Sequence, residues 1–412
     1  MPESSLMETS TNLLLAMGVI LAVPWLIWRL CRTERYAPLV VVQILTGILL
    51  GPGILGAALP ELHGRVFAGE VITSLDGIAT WGVVLFVWLA GLELDLGATW
   101  KHRGDALTTA SLALLTPLAA GALVGIGLLL HDPAWMGTDG ARWQFVLGIG
   151  MACAVTALPI LILFMEKLAM LRGPLGQRVL RYASLDDIAI WIVLTIILLD
   201  FDRMGMQALF VITFIGGTLL VRWLMPRISD TDRWFVALIW LTACALGSDI
   251  AGLHYMVGGF LAGVVLNSQW FGHEGMDRMR HFLLLVLMPV FFLSTGLKTE
   301  WEMGGTAVLI AALALLLATV WGKLGGVSLA GWWLGWQPGE ARLVGWLLQT
   351  KALIMIIFAN ILLDQAVVSA EAFTALLLMA AASTMLTIPM VNGRHGRVIA
   401  PSTARAAGSD TR

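Results

Sequence analysis

Thirteen apolar runs, separated by short polar or turn-forming stretches, occupy residues 11 to 391 and fix the solvent in which this chain can fold. Their approximate spans are 11–29, 37–51, 71–94, 106–130, 144–165, 179–200, 206–226, 234–248, 253–268, 281–297, 306–334, 341–363 and 371–391. About 20 apolar residues of helix cross a hydrocarbon core about 30 Å thick. Inside that core a segment must satisfy its own backbone, which selects helices. Charged residues make up 13% of the chain, roughly half of the ~25% usual in soluble domains. The 44 glycines and 18 tryptophans suit membrane helices and their interfaces. A soluble enzyme or a nucleic-acid-binding domain is excluded by this composition, and a net charge of −2 gives polyanions nothing to bind. Cys31, Cys153 and Cys244 are odd in number and far apart, so no disulfide framework is expected. Met1 to Ser10 carries two acids and no base, unlike a cleavable signal. The chain reads as an all-α polytopic membrane protein with 13 transmembrane helices.

Lys and Arg bias short loops to the cytoplasm. With the N-terminus outside, the outer loops hold only Arg65, Arg142, Arg203 and Lys298, and Lys323 and Lys351 fall inside apolar segments. The other 19 of the 25 bases all fall on the inner side, including Arg178 and Arg181, Arg278 and Arg280, Arg342, and the C-terminal arginines. A miscounted crossing would scramble this alternation, so the expectation is N-terminus outside and C-terminus cytoplasmic. The transmembrane part is expected to run over 1–392. The polar stretch 393–412 reads as a disordered cytoplasmic tail, and no appended nucleotide-binding domain is recognisable.

An internal repeat is visible. Phe86-Val-Trp-Leu-Ala-Gly91-Leu92 in the third segment matches Phe291-Phe-Leu-Ser-Thr-Gly296-Leu297 in the tenth. Ile44-Leu-Thr-Gly47 in the second matches Phe260-Leu-Ala-Gly263 in the ninth, and Thr156-Ala-Leu-Pro159-Ile160 in the fifth matches Thr350-Lys351-Ala-Leu-Ile354 in the twelfth. All three pairings step by seven segments. Two six-helix halves, about 11–200 and 234–391, joined by a linker helix at about 206–226, would therefore be inverted relative to each other.

Four ionisable side chains, Asp186, Asp187, Lys323 and Lys351, lie inside the apolar runs. At about 2.5–3.5 kcal/mol each, their burial costs on the order of 10–14 kcal/mol, as much as a domain's whole stability. At 1.5 Å per residue, each lies about 11–17 Å from the inner end of its helix, and Thr156 falls at the same depth. Two acids and two bases at one level imply a shared polar cluster. Pro159 and the polar run Gln349-Thr350-Lys351 mark interruptions in the fifth and twelfth segments. Unwound backbone is tolerated there only where protein or a wet cavity satisfies it. Half-helix ends then offer carbonyls to a cation, while Lys351 neutralises the facing dipole ends. Asp76, Glu93, Asp95, Asp200 and Asp364 sit at segment ends and read as interfacial. The seven histidines show no paired spacing for a metal.

These residues resemble monovalent cation:proton antiporters of the second cation:proton antiporter family, within the sodium/hydrogen exchanger superfamily. The resemblance runs from about Pro38 to Pro389. It is carried by Gly47-Ile-Leu-Leu-Gly-Pro52, Phe86 to Asp95, Thr156 to Pro159, Leu185-Asp186-Asp187, Gly259 to Gly263, Pro289 to Leu297, Gly322-Lys323 and Thr350-Lys351. It implies the sodium/proton antiporter fold with crossed discontinuous helices, a homodimer, and a core domain moving against a dimerisation domain. It further implies that Asp187 is the principal carrier of cation and proton, and that Asp186 pairs with Lys323. Ala352 and Leu353 stand where relatives often have Gly and an acid, and Cys153 and Ala154 replace small hydroxyl residues before the break. Both departures bear on ion selectivity.

The expected function is exchange of Na⁺ or K⁺ for protons by alternating access, not an enzymatic reaction. Asp186, Asp187 and Thr156 are the expected ion and proton ligands, Asp187 and Asp186 hold the cation transiently, and Lys323 and Lys351 are their charge partners. No cofactor is expected beyond the transported ions. The setting is the cell (inner) membrane, crossed many times. Two acids beside a lysine favour an electrogenic cycle. A sodium-coupled symporter of an organic solute shares the fold and is the alternative, against which Lys323 beside the paired aspartates argues. An intramembrane aspartyl protease would need its carboxylates on facing helices, whereas neighbours on one helix point about 100° apart.

Overall fold

A computed structural model describes residues 2–33, 39–93, 103–168, 170, 173–198, 204–297 and 301–406. Asp95, Asp200, Arg203, Lys298 and Arg412, which figured in the charge pattern or the family motifs, lie outside the described residues. The described chain is helical throughout, apart from one isolated bridge between Met136 and Val368. In order the helices are α1 (Pro2–Leu30), α2 (Leu39–Leu50), α3 (Pro60–Val66), α4 (Gly69–Leu92), α5 (Arg103–His131) and α6 (Arg142–Ala154). Next come α7 (Leu158–Lys167), α8 (Pro174–Ile197), α9 (Met204–Leu224), α10 (Asp230–Ile250), α11 (Tyr255–Val264) and α12 (His273–Phe282). The last are α13 (Met288–Leu297), α14 (Trp301–Trp333), α15 (Glu340–Leu347), α16 (Ala352–Asp364) and α17 (Ala370–Ala406).

The described residues of all thirteen apolar segments lie mainly in helices. Among the described residues nine helices are long and apolar enough to cross a membrane. The remaining four segments are the fifth and twelfth, each broken into two short helices, the ninth, which is α11, and the sixth, which is α8 and carries the aspartates. The second segment runs on past Gly51. Gly51 is extended (ψ 172°), as a residue before proline prefers, and Pro52 then opens a single wide π-helical turn to Gly56. Proline is accommodated there because a first-turn N–H has no intrahelical partner to lose. At the far end α17 runs through Gly393 and Gly396 to Ala406. Extending a formed helix costs far less than starting one, and a glycine adds only about 1 kcal/mol.

The chain divides into two compact units. The first comprises Met1–Trp25, Gln43–Asp95 and Trp191–Thr299. Apolar surface gains little by moving from lipid to a neighbouring helix, so close packing at small residues holds membrane helices together. In this unit α4 crosses α11 at Gly91 and Gly263, and α2 crosses α13 at Gly47 and Gly296. A Cβ on Gly91 would stand 2.4 Å from the Phe260 carbonyl oxygen, and one on Gly263 2.1 Å from that of Trp88. A Cβ on Gly47 would stand 2.5 Å from the Leu293 carbonyl oxygen, and one on Gly296 2.6 Å from that of Ile44. Near these crossings Trp88 meets Trp234 and Phe271 edge-on. Arg280 on α12 bonds Glu93 at the end of α4, with Nη2 2.6 Å from Oε1.

The second unit comprises Leu26–Val42, Leu96–Ile190 and Glu300–Arg412. Its spine is the pairing of α5 with α14. The Thr116 hydroxyl reaches the Gly322 carbonyl at 2.8 Å, and a Cβ on Gly322 would lie 2.5 Å from Pro117 Cα. At one end, Tyr182 stacks on Trp336, the Arg178 guanidinium lies 4.7 Å over the same indole, and Arg178 pairs with Glu340. Asp186, Asp187, Lys323 and Lys351 all belong to this unit.

Candidate functional site

The fifth segment is helical to Ala154, extended at Val155 (ψ 147°), and helical again from Leu158. Pro159 thus falls in the first turn of α7 rather than at the gap itself, where its missing N–H costs nothing. The twelfth segment is interrupted in the same manner between Leu347 and Ala352. The two gaps are bonded to each other. The Ala157 N–H donates to the Thr350 carbonyl at 2.6 Å, and the Thr156 hydroxyl oxygen lies 2.8 Å from the Leu348 carbonyl.

A helix end leaves its last carbonyls without partners and carries the negative end of the helix dipole. At the end of α6 both lysines answer this. Lys323 Nζ donates to the Ala154 carbonyl at 2.6 Å. Lys351 Nζ donates to the carbonyls of Cys153 (2.6 Å) and Val155 (2.8 Å). The Thr319 hydroxyl adds a bond of 2.5 Å to the Cys153 carbonyl. Cys153 and Ala154, which depart from the hydroxyl residues of relatives, contribute here through backbone oxygens that any side chain would leave in place.

Lys323 also closes an ion pair, with Nζ 2.7 Å from Asp186 Oδ2 and both side chains at most 2% exposed. The same carboxylate oxygen lies 2.7 Å from the Thr156 hydroxyl. That hydroxyl has one hydrogen and two acceptors within reach, the carboxylate and the Leu348 carbonyl, so it serves one at a time. Asp187, the next residue of α8, is 1% exposed. Thr156, Asp186, Lys323 and Lys351 are therefore tied into one hydrogen-bonded cluster that includes the gap carbonyls, with Asp187 buried beside Asp186 in the sequence. The burial of Asp186, Lys323 and Lys351 is tolerable because each meets an opposite charge or a backbone dipole.

Three contributors had not been singled out in the sequence. Thr319 lies one turn before Lys323, on the same face of α14, a spacing that could have revealed it. Ser383 donates to the Gln349 carbonyl at 3.0 Å, and the Lys351 N–H reaches Thr384 Oγ1 at 3.4 Å. Ser383, Thr384 and Thr387 on α17 read in sequence as ordinary helix hydroxyls. Among the described residues there is no cluster of three or more His, Cys, Asp or Glu that could hold a resident metal ion.

Two interrupted helices pinned to each other beside buried acids and bases define a class of fold, the membrane proteins with discontinuous helices. The solved structure of the sodium proton antiporter MjNhaP1 from Methanocaldococcus jannaschii has the same fold, with a TM-score of 0.59, 13% identity, and coverage of 93% of this chain and 98% of that one. The sequence profile described as "Sodium/hydrogen exchanger, transmembrane" matches residues 17–393, and the chain belongs to that family of multi-pass membrane proteins. Cation/H(+) antiporter 20 of Arabidopsis thaliana is 27% identical over 86% of this chain and 45% of its own length. K(+)/H(+) antiporter 1 of Saccharomyces cerevisiae is 27% identical over 86% of this chain and 43% of its own. This chain thus spans less than half the length of those two relatives. Na(+)/H(+) antiporter NhaS4 of Synechocystis sp. is 27% identical over 93% of this chain and 98% of its own.

Proposed function

We propose that the protein is a secondary antiporter of the cell (inner) membrane that exchanges a monovalent cation, Na⁺ or K⁺, for protons by alternating access. The observation that carries this reading is the buried Lys323–Asp186 pair, bonded through Thr156 to the gap of the twelfth segment. A buried carboxylate must be neutralised, by a proton or by a metal ion. Asp187 is assigned as the site at which the two compete, assisted by Asp186 and Thr156. Because an empty charged site is costly to carry through a low-dielectric barrier, competition at one site becomes exchange. Opening of the Asp186–Lys323 pair on cation binding would release a second proton, so the cycle is electrogenic. Lys351 holds the negative helix end in place of a cation. The relatives' names, with Na⁺, K⁺ or cation each paired with H⁺, support antiport over solute symport.

The same reading includes thirteen crossings with the N-terminus outside and the C-terminus cytoplasmic. Three contacts agree with that assignment of sides. Arg280 with Glu93 and Arg178 with Glu340 each join positions counted as inner, and the Met136–Val368 bridge joins two loops counted as outer. The inverted repeat is supported by the four glycines. The repeat equates Gly91 with Gly296 and Gly47 with Gly263, so the Gly91–Gly263 crossing becomes the Gly296–Gly47 crossing. In both, each glycine faces the carbonyl of the residue three before its partner. The working assembly is a homodimer, in line with the family resemblance.

In proteoliposomes carrying a pH gradient, addition of Na⁺ or K⁺ is expected to dissipate the gradient. Asp187→Asn should abolish that response while leaving the protein folded. Exchange that persists in the variant would refute the assignment.

A further inference from the structure

The proposed exchange leaves one buried side chain of the twelfth-segment gap unused. Gln349 is fully buried, and neither Oε1 nor Nε2 of its amide meets a hydrogen-bond partner among the described residues. Its backbone is held on every side. The Leu348 carbonyl takes the Thr156 hydroxyl, the Gln349 carbonyl takes Ser383, the Thr350 carbonyl takes the Ala157 N–H, and the Lys351 N–H reaches Thr384. The residue cannot swing out to solvent without breaking these bonds.

An unpartnered buried amide is unfavourable, and a methionine of the same length would fill the space without that cost. The amide oxygen is a neutral, hard donor, the kind that replaces water around Na⁺ or K⁺. The carbonyls of residues 348, 349 and 350 each already accept a hydrogen bond, whereas Gln349 Oε1 accepts none. Gln349 stands one Cα step, about 3.8 Å, from Leu348, whose carbonyl bonds the hydroxyl that touches Asp186. We infer that Gln349 contributes its amide oxygen to the coordination shell of the transported cation and is a specificity-determining residue. This rests on the exchange reading above.

The test uses the full chain in proteoliposomes, with apparent KM values for Na⁺, K⁺ and Li⁺ measured by dissipation of a pH gradient. Gln349→Met should raise the KM of the best-transported ion about tenfold, the equivalent of one lost interaction, and should change the KM ratio between ions. Gln349→Asn, which keeps an oxygen, should give a smaller change in the same direction. A folded Gln349→Met protein with all KM values unchanged, or all changed by one common factor, overturns the inference. A second readout needs no transport. Addition of the cation should raise the thermal midpoint of the wild type in detergent and raise that of Gln349→Met less. Equal shifts in the two proteins overturn the inference as well. Wild-type vesicles that show no cation-dependent proton movement would defeat the exchange reading instead, and the thermal shift would still decide the role of Gln349.

Discussion

Lys323 Nζ on α14 sits 2.7 Å from Asp186 Oδ2 on α8, although 136 residues separate them in the chain and neither is more than 2% exposed. Removing one partner of such a pair strands a buried charge, at a cost of about 3–5 kcal/mol. Lys323→Ala is therefore expected to lower the thermal midpoint in detergent sharply. The double variant Asp186→Asn with Lys323→Met, which removes both charges, should recover most of the loss. A double-mutant cycle showing simple additivity would contradict a direct pair.

Thr156 links that pair to the twelfth-segment gap. Thr156→Val deletes one hydroxyl and leaves the Leu348 carbonyl buried without its partner, which costs about 1–3 kcal/mol. Thr156→Ser keeps the hydroxyl and should stay close to wild type. Thermal unfolding of the two variants side by side separates loss of the hydrogen bonds from loss of the methyl group.

Lys351 should behave differently from Lys323, because the bonds it makes in the cluster run to carbonyls of a helix end. Lys351→Met leaves the Cys153 and Val155 carbonyls without the ammonium and is expected to destabilise by roughly 2–3 kcal/mol. Cys153→Ser, by contrast, keeps the backbone oxygen that both Lys351 and Thr319 use. It should fall within about 1 kcal/mol of wild type, a result typical of near-isosteric changes. A large penalty for Cys153→Ser would mean that the thiol itself matters.

The glycine crossings make a paired prediction. Gly91→Ala and Gly296→Ala, where an added Cβ would stand under 3 Å from a carbonyl oxygen, should each destabilise by about 1–3 kcal/mol through overpacking. Gly77→Ala adds a methyl where no atom lies within 4 Å, and should stabilise its helix by about 0.5–1 kcal/mol. Thermal midpoints that do not separate the first two from the third would remove the crossings as the cause.

Composition and spacing were enough to establish membrane helices, because thirteen apolar runs with few charges have no other stable form in lipid. They also marked Asp186, Asp187, Lys323 and Lys351, since a charge inside such a run is expensive enough to stand out wherever it occurs. Matched motifs drew attention to Gly47, Gly91, Gly263 and Gly296, but nothing in them showed that these glycines meet at two close helix crossings. Which oxygens Asp186, Lys323 and Lys351 meet emerged only from the folded arrangement. The carbonyls of Cys153, Ala154, Val155 and Leu348 are identical in kind to every other backbone carbonyl, and no side-chain letter announces that a helix has stopped beside them. Thr319, Ser383 and Thr384 were hidden for a related reason. A hydroxyl or amide in an apolar helix has a local bond available to it, so its residue type does not reveal whether it faces its own helix or the gap of another.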